Sequence, residues 1–235
     1  MVYYKNNGEC VKLDCFDSSF NKGTQASIYR MKNEHLICFK SYDDDDKVKT
    51  IFDDSGNKFT QEMFDYFKNQ YEQFNFCKLY DLLYDKRMAT VMGYTMKYYE
   101  EIIDNMLFLP TSYILDNFSI IYDAIDKLTK DCIKIVDLNC DNIIDTKDGL
   151  IVLDYDKYYR DLNIDVDTLN YINKCALMYA FKGIFLKSLK RHGIEIDNNL
   201  ELKCVVNSLF TINTSPIVLK YKLRNYMKPI DLFIK

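Results

Sequence analysis

Strand-type and helix-type patterning are segregated along this 235-residue chain: short β-branched and aromatic runs fall almost wholly before residue 100, and long 3.6-period runs after it. Segregation of this kind predicts an α+β fold, not an alternating βαβ sheet. Seven Gly and three Pro are few for the length, which favours long regular elements joined by short turns over a loop-rich all-β fold. With 48% hydrophobic and 15% aromatic residues, the chain can bury a core of one large or two small lobes, so disordered and fibrous classes are excluded.

The runs Cys10–Phe16, Ala26–Met31 and Leu36–Ser41 are separated by the turn signals Asn21-Lys22-Gly23 and Lys32-Asn33-Glu34, and predict an antiparallel meander. A polar stretch from Asp43 to Asn57, rich in Asp, predicts a solvated loop. Met63, Phe64, Phe67, Tyr71 and Phe74 recur at helical spacing after Thr60 and predict one helix ending near Phe74. Leu79–Tyr84 and Met88–Tyr94, split by Asp85-Lys86-Arg87, read as a hairpin. Helices are then predicted over Asn117–Cys132, over Val166–Arg191 and from about Leu200, interrupted by strand-like pieces at Asn142–Ile144 and Leu150–Asp154. The division expected is a β-rich lobe over residues 1–94 with one helix, and a larger, mainly helical lobe over residues 95–235.

Lys plus Arg number 31 against 35 Asp plus Glu, a net charge of −4, so the chain lacks the broad positive field of a nucleic-acid binder. The eight cysteines form no C-x-x-C pair and most lie in apolar runs, which predicts reduced thiols. The start has no apolar signal core, and the longest apolar stretch, Ala176–Leu186, is interrupted by Lys182 and too short to span a bilayer. These features predict a soluble, cytoplasmic protein with no membrane partner. His35 in a turn and His192 before Gly193 lack the companions of a metal or nucleophilic site. The tyrosines Tyr98, Tyr99, Tyr113 and Tyr122 read as packing residues.

Several residues can carry chemistry. In the turn Asn21–Tyr29 only Gly23 has the backbone freedom that lets main-chain N–H groups approach a phosphate; the same turn is also an ordinary hairpin. Lys40 closes the apolar run Leu36–Phe39 and either snorkels to solvent or meets an anionic partner. Glu62 is the natural carboxylate to hold it, or simply a favourable acidic residue in a first helical turn. Around the turn Lys147-Asp148-Gly149, two short apolar strands can present Asp137, Asn142 and Asp154 along one edge. Hard oxygen ligands of this type suit Mg²⁺, and a carboxylate aimed at a hydroxyl suits general-base work; Asx turns at both ends are the plain structural alternative.

Taken in order, the glycine turn, Lys40, Glu62, the hairpin Leu79–Tyr94, Asp137 with Asn142 five residues on, and Asp154 twelve later resemble the protein-kinase-like superfamily over roughly residues 18–160. The resemblance implies a two-lobed protein-kinase-like fold. It gives Gly23 the middle glycine of the phosphate loop, Lys40 the strand lysine and Glu62 its ion-pair partner. Asp137 becomes the catalytic aspartate, Asn142 and Asp154 the Mg²⁺ ligands, and Met92 a wall of the adenine pocket, where it can equally be a core methionine. The cofactors implied are ATP and Mg²⁺.

The departures shape the substrate reading. Asn21 and Ala26 replace the flanking glycines, and Gly23-Thr24-Gln25-Ala26-Ser27-Ile28-Tyr29-Arg30 looks more like the loop of the small atypical kinases that partner the tRNA threonylcarbamoyladenosine synthase. Ile135-Val136 stand where the family has His-Arg, Asp154-Tyr155-Asp156 is similar to aminoglycoside and choline kinases, and no Ala-Pro-Glu follows. The expectation is an ATP-dependent phosphotransferase, foremost an atypical Ser/Thr protein kinase with a protein or small-molecule hydroxyl as acceptor. A small-molecule kinase, with Asp141, Asp156 and Asp161 as an acidic pocket, and a pseudokinase acting as a binding module are the alternatives. Val136 cannot grip a phosphate, and only about a dozen residues separate Asp154 from Val166, so control by activation-segment phosphorylation is not expected.

Overall fold

Alternation along Ile37–Ser41 sends Cys38 and Lys40 to one face of a strand and Phe39 and Ser41 to the other. This alternation organises the first half of the chain. The computed structural model describes residues 2–12, 21–22, 27–32, 34, 36–42, 61–87, 91–100, 111–191, 193 and 200–231. The chain divides into two compact units: Met1–Glu72 with Phe76–Glu100 and Asp156–Tyr159, and Gln73–Asn75 with Glu101–Tyr155 and Arg160–Lys235. The class is α+β, with a curled antiparallel sheet and five helices among the described residues.

In the first unit, β1 (Val2–Lys5), β2 (Cys10–Lys12), β3 (Asn21–Lys22), β4 (Ser27–Arg30), β5 (Ile37–Ser41), β6 (Leu79–Tyr84) and β7 (Val91–Lys97) form one sheet in the order β2-β1-β6-β7-β5-β4-β3. Lys40 pairs with Tyr94 across β5 and β7, and Leu82 with Tyr94 across β6 and β7, so these side chains share a face. Helix α1 (Gln61–Phe74) packs on that face through buried Met63, Phe64 and Phe67, with the Phe64 and Tyr94 rings 6.4 Å apart. The other face carries buried Tyr3, Phe39 and Leu83. Tyr3 and Phe39 sit three strand spacings apart, about 14 Å in a flat sheet, yet their ring centroids are 5.0 Å apart. The sheet therefore curls toward this face.

A bulge sets the positions next to Lys40. Leu83 pairs with Gly93 but Tyr84 pairs with Val91, so Met92 is an extra residue in β7. Simple alternation would put Met92 beside Tyr94 on the Lys40 face; instead it packs against the Tyr3, Phe39 and Leu83 cluster on the opposite face. Gly93 has φ +151°, and a Cβ there would lie 2.1 Å from the Lys40 carbonyl oxygen. Only glycine lets β7 approach β5 this closely.

The second unit is built on α2 (Thr111–Lys130), α3 (Val166–Arg191), α4 (Leu200–Leu209) and α5 (Pro216–Asp231), with β8 (Ile133–Lys134) and a hairpin of β9 (Ile143–Thr146) and β10 (Gly149–Val152). Its core is aromatic at the centre: Phe118 of α2 meets Phe181 of α3 edge-on at 5.0 Å, and Phe210 lies 5.8 Å from Phe185. Truncating such a buried ring costs about 3–5 kcal/mol. Asn117, buried on α2, accepts from Leu150 N at 2.8 Å and donates to Tyr113 O at 2.9 Å, which fixes the hairpin to the helix.

Helix α3 matches its expected span, and α1 is found one residue after Thr60. Two differences have simple causes. The strand β1 is too short to be read from Val2-Tyr3-Tyr4-Lys5 alone; it forms because β2 and β6 pair with it on both sides. Helix α2 begins six residues before Asn117, directly after Pro110, where the first turn carries Thr111 and Ser112 in place of an apolar stripe. Gly23, His35, His192, Cys15 and the polar stretch 43–57 lie outside the described residues. The seven cysteines among the described residues are all free of disulfides. Among the described residues no helix is long and apolar enough to cross a membrane.

Gly93→Ala is expected to destabilise the protein by about 2–5 kcal/mol, combining backbone strain with a backbone clash. Gly8→Ala, at φ +80° but with open space around its Cβ, should cost only about 1 kcal/mol. Urea unfolding of the two variants measures the difference.

Candidate functional site

Charge burial governs the site in the first unit. Lys40 is 8% exposed and Asp156 2%, and Lys40 Nζ lies 2.8 Å from Asp156 Oδ2. The Tyr42 hydroxyl donates to the same oxygen at 2.6 Å. Lys40 Nζ also stands 5.8 Å from the ring centroids of both Tyr42 and Tyr94. Burial alone would raise the Asp156 carboxyl, but the Lys40 charge and the hydrogen bonds from Lys40 and Tyr42 outweigh it and hold the carboxyl below its ordinary range. Burial, together with the neighbouring Asp156, pushes the Tyr42 phenol well above its ordinary value, so Tyr42 remains a donor.

Lys40 thus does meet an anionic partner and does not snorkel. That partner is Asp156, which the sequence points to for a substrate pocket while it points to Glu62 for the ion pair. Glu62 is exposed in the first turn of α1. No local pattern ties residue 156 to residue 40, which are 116 apart in sequence. The pairing becomes visible only once Asp156–Tyr159 is known to belong with the first unit. Met92, on the face opposite Lys40, is placed as a core methionine. Replacing Lys40 by Ala would leave Asp156 buried without its cation, a loss of about 3–5 kcal/mol, so that variant tests stability as well as chemistry.

In the second unit, Asp137, Asn142 and Asp154 are brought together by backbone and side-chain bonds around the open end of the β9–β10 hairpin. Asn142 Nδ2 donates to the Asp137 carbonyl at 2.8 Å, and Leu153 N donates to the Asn142 carbonyl at 2.7 Å. Asn142 immediately precedes β9, and Asp154 follows β10 by two residues. Asn139 ties the loop together: Nδ2 donates to both Asp137 O and Oδ1 at 3.1 Å, and Oδ1 accepts from Asp141 N at 2.8 Å and Asn142 N at 3.2 Å. This is an Asx turn, and it holds an exposed Asp137. Of the four non-glycine residues with positive φ among the described residues, two are Asp137 (62°) and Asp154 (58°). Both candidate carboxylates therefore sit in a sparsely populated backbone region.

Helix α3 holds this loop from beneath. Asn173, fully buried, accepts from Ile135 N at 2.9 Å and donates to Ile133 O at 2.9 Å and Thr129 Oγ1 at 3.0 Å. Farther along α3, Gly183 faces Cys140: a Cβ there would lie 2.7 Å from Cys140 Sγ. Lys187 Nζ donates to Cys140 O at 3.2 Å and to Asp141 Oδ1 at 2.5 Å. Asn173 was missed by sequence reasoning, although a signal existed. It stands in the stripe Leu169, Asn173, Leu177, Phe181, a lone polar residue at four-residue spacing among core positions.

The three carboxylates considered for an acidic pocket each have a local partner: Asp141 pairs with Lys187 at 2.5 Å, Asp156 with Lys40 at 2.8 Å, and Asp161 accepts from Asn163 N at 3.1 Å. Among the described residues no group of three or more His, Cys, Asp or Glu side chains is placed to hold a metal ion.

Asn173→Leu keeps the volume but strands Ile135 N and Ile133 O without their partner, and should destabilise the protein by about 2–4 kcal/mol. Urea unfolding checks this, and Thr129→Val, which removes a single bond to Asn173, should cost less.

No protein-family model matches the chain, and no curated protein matches it in sequence.

Proposed function

We propose that this protein is an ATP- and Mg²⁺-dependent phosphotransferase of protein-kinase-like fold, acting on a protein Ser/Thr hydroxyl. The observation that carries the reading is the loop in which Asn142 bonds the Asp137 carbonyl, beside a hairpin that leads directly into Asp154. Phosphoryl transfer asks little covalent chemistry of a protein, so positioning and charge neutralisation do the work. Asp137, exposed and oriented by Asn139, would accept the proton of the acceptor hydroxyl. Lys40 would contact the α- and β-phosphates.

The donor set fits Mg²⁺. The Asn142 amide nitrogen is committed to Asp137 O, which leaves the oxygen Oδ1 for a hard cation, and Asp154 adds a carboxylate. Two protein oxygens suit a metal whose remaining ligands are phosphates and water, not an all-protein cage. Held by Asn142 and Asp154, the ion would supply positive charge against the phosphates. Gly23 would close over the phosphates and Glu62 keeps a place in the first turn of α1, while the adenine-wall role of Met92 has no support from its position. An acidic pocket for a cationic small-molecule acceptor cannot draw on Asp156, which is buried against Lys40.

Of the tyrosines after Asp154, Tyr155 and Tyr158 are buried at 2% and 1% exposure, which supports a site assembled without their phosphorylation, while Tyr159 is half-buried. Asp137→Asn keeps the bond from Asn139 but removes the base, and should lower phosphoryl transfer to a protein acceptor about 10²–10⁴-fold with unchanged thermal stability. Radiolabelled-ATP transfer by unphosphorylated protein measures this. Transfer undiminished in Asp137→Asn contradicts the proposal, and nucleotide binding without any turnover in the wild type assigns the chain to the binding modules.

A further inference from the structure

Resting on the phosphotransferase reading, we propose that Asp156 is the positioning residue that holds Lys40 for its phosphate contact, and that the exposed Glu62 is dispensable for it. Lys40 Nζ and the Tyr42 hydroxyl converge on one oxygen, Asp156 Oδ2, at 2.8 and 2.6 Å, and the aspartate is 2% exposed. An ammonium on a four-carbon stem has many rotamers. The carboxylate on one side and the Tyr42 and Tyr94 rings, each 5.8 Å from Nζ, reduce that freedom.

The segment that bears Asp156 is fixed in the same unit by Tyr158. That ring is 1% exposed and lies 6.0 Å from Phe67 and 6.3 Å from Phe76. Asp156 is also joined to Asp154 through Tyr155 alone. The placement of Lys40 Nζ therefore depends on residues 156–158.

The test uses the full chain and the variants Asp156→Asn, Asp156→Glu and Glu62→Gln. Acetylation of Lys40 by acetic anhydride, followed by mass spectrometry without nucleotide, reads the pair directly. Transfer kinetics with Mg²⁺-ATP read its consequence. Asp156→Asn should speed Lys40 acetylation about tenfold and lower kcat/KM for ATP by at least that factor, with KM for the acceptor unchanged and partial rescue in Asp156→Glu. Glu62→Gln should stay within about twofold of wild type in both assays. Acetylation of Asp156→Asn at the wild-type rate, or accelerated acetylation in Glu62→Gln, overturns the proposal. Should Asp156→Asn fail to fold, Asp156→Glu gives the reading: Lys40 labelling faster than in the wild type supports the proposal and labelling at the wild-type rate contradicts it. A wild-type protein that transfers no phosphoryl group refutes the phosphotransferase reading, and the acetylation arm still reports which carboxylate holds Lys40.

Discussion

A buried ammonium cannot stay buried alone, and the Lys40 pair with Asp156 answers that constraint in the first unit. Taking the Lys40 charge out of water is tolerable only because a carboxylate meets it at 2.8 Å and a phenol hydroxyl satisfies the same oxygen. The rest of the first unit is consistent with this demand. Gly93 lets β7 close on the Lys40 backbone, the bulge at Met92 turns that side chain to the other face, and Tyr94 completes the walls around the lysine. The chain passes from the second unit to the first between Tyr155 and Asp156.

The second unit solves a different problem, that of keeping an exposed polar loop in one conformation. Asp137 and Asp154 both occupy left-handed backbone positions, which cost free energy unless neighbouring groups over-determine them. Asn139 and Asn142 supply hydrogen bonds from within the loop, and α3 supplies Asn173, Gly183 and Lys187 from below. Of these, Asn173 matters most for stability because it is fully buried and satisfies three groups. The bridge between Lys187 and Asp141, with Asp141 80% exposed, adds orientation more than stability.

Local periodicity made part of this legible. Val166–Arg191 and the α1 helix could be read from their apolar spacing, and the β9–β10 hairpin from two short apolar runs around Lys147-Asp148-Gly149. The juxtaposition of Asp137, Asn142 and Asp154 was also legible, because all three border that hairpin. The Lys40 partner was not. Glu62 was the nearer choice in sequence, and the choice of Asp156 depends on how a segment 116 residues away returns to the sheet. The bulge at Met92 was equally invisible, since one extra residue in a ladder leaves no mark on alternation over so short a strand.

The central proposal is that Asn142 and Asp154 hold the Mg²⁺ of a bound nucleotide. Calorimetric titration of ATP into the full chain, with Mg²⁺ and then with excess EDTA, tests it most directly. Saturable one-to-one binding that weakens at least about tenfold on chelation, and is lost in Asp154→Asn while that variant remains folded, is the result predicted. No heat of binding at millimolar Mg²⁺-ATP, or binding indifferent both to chelation and to Asp154, would contradict it.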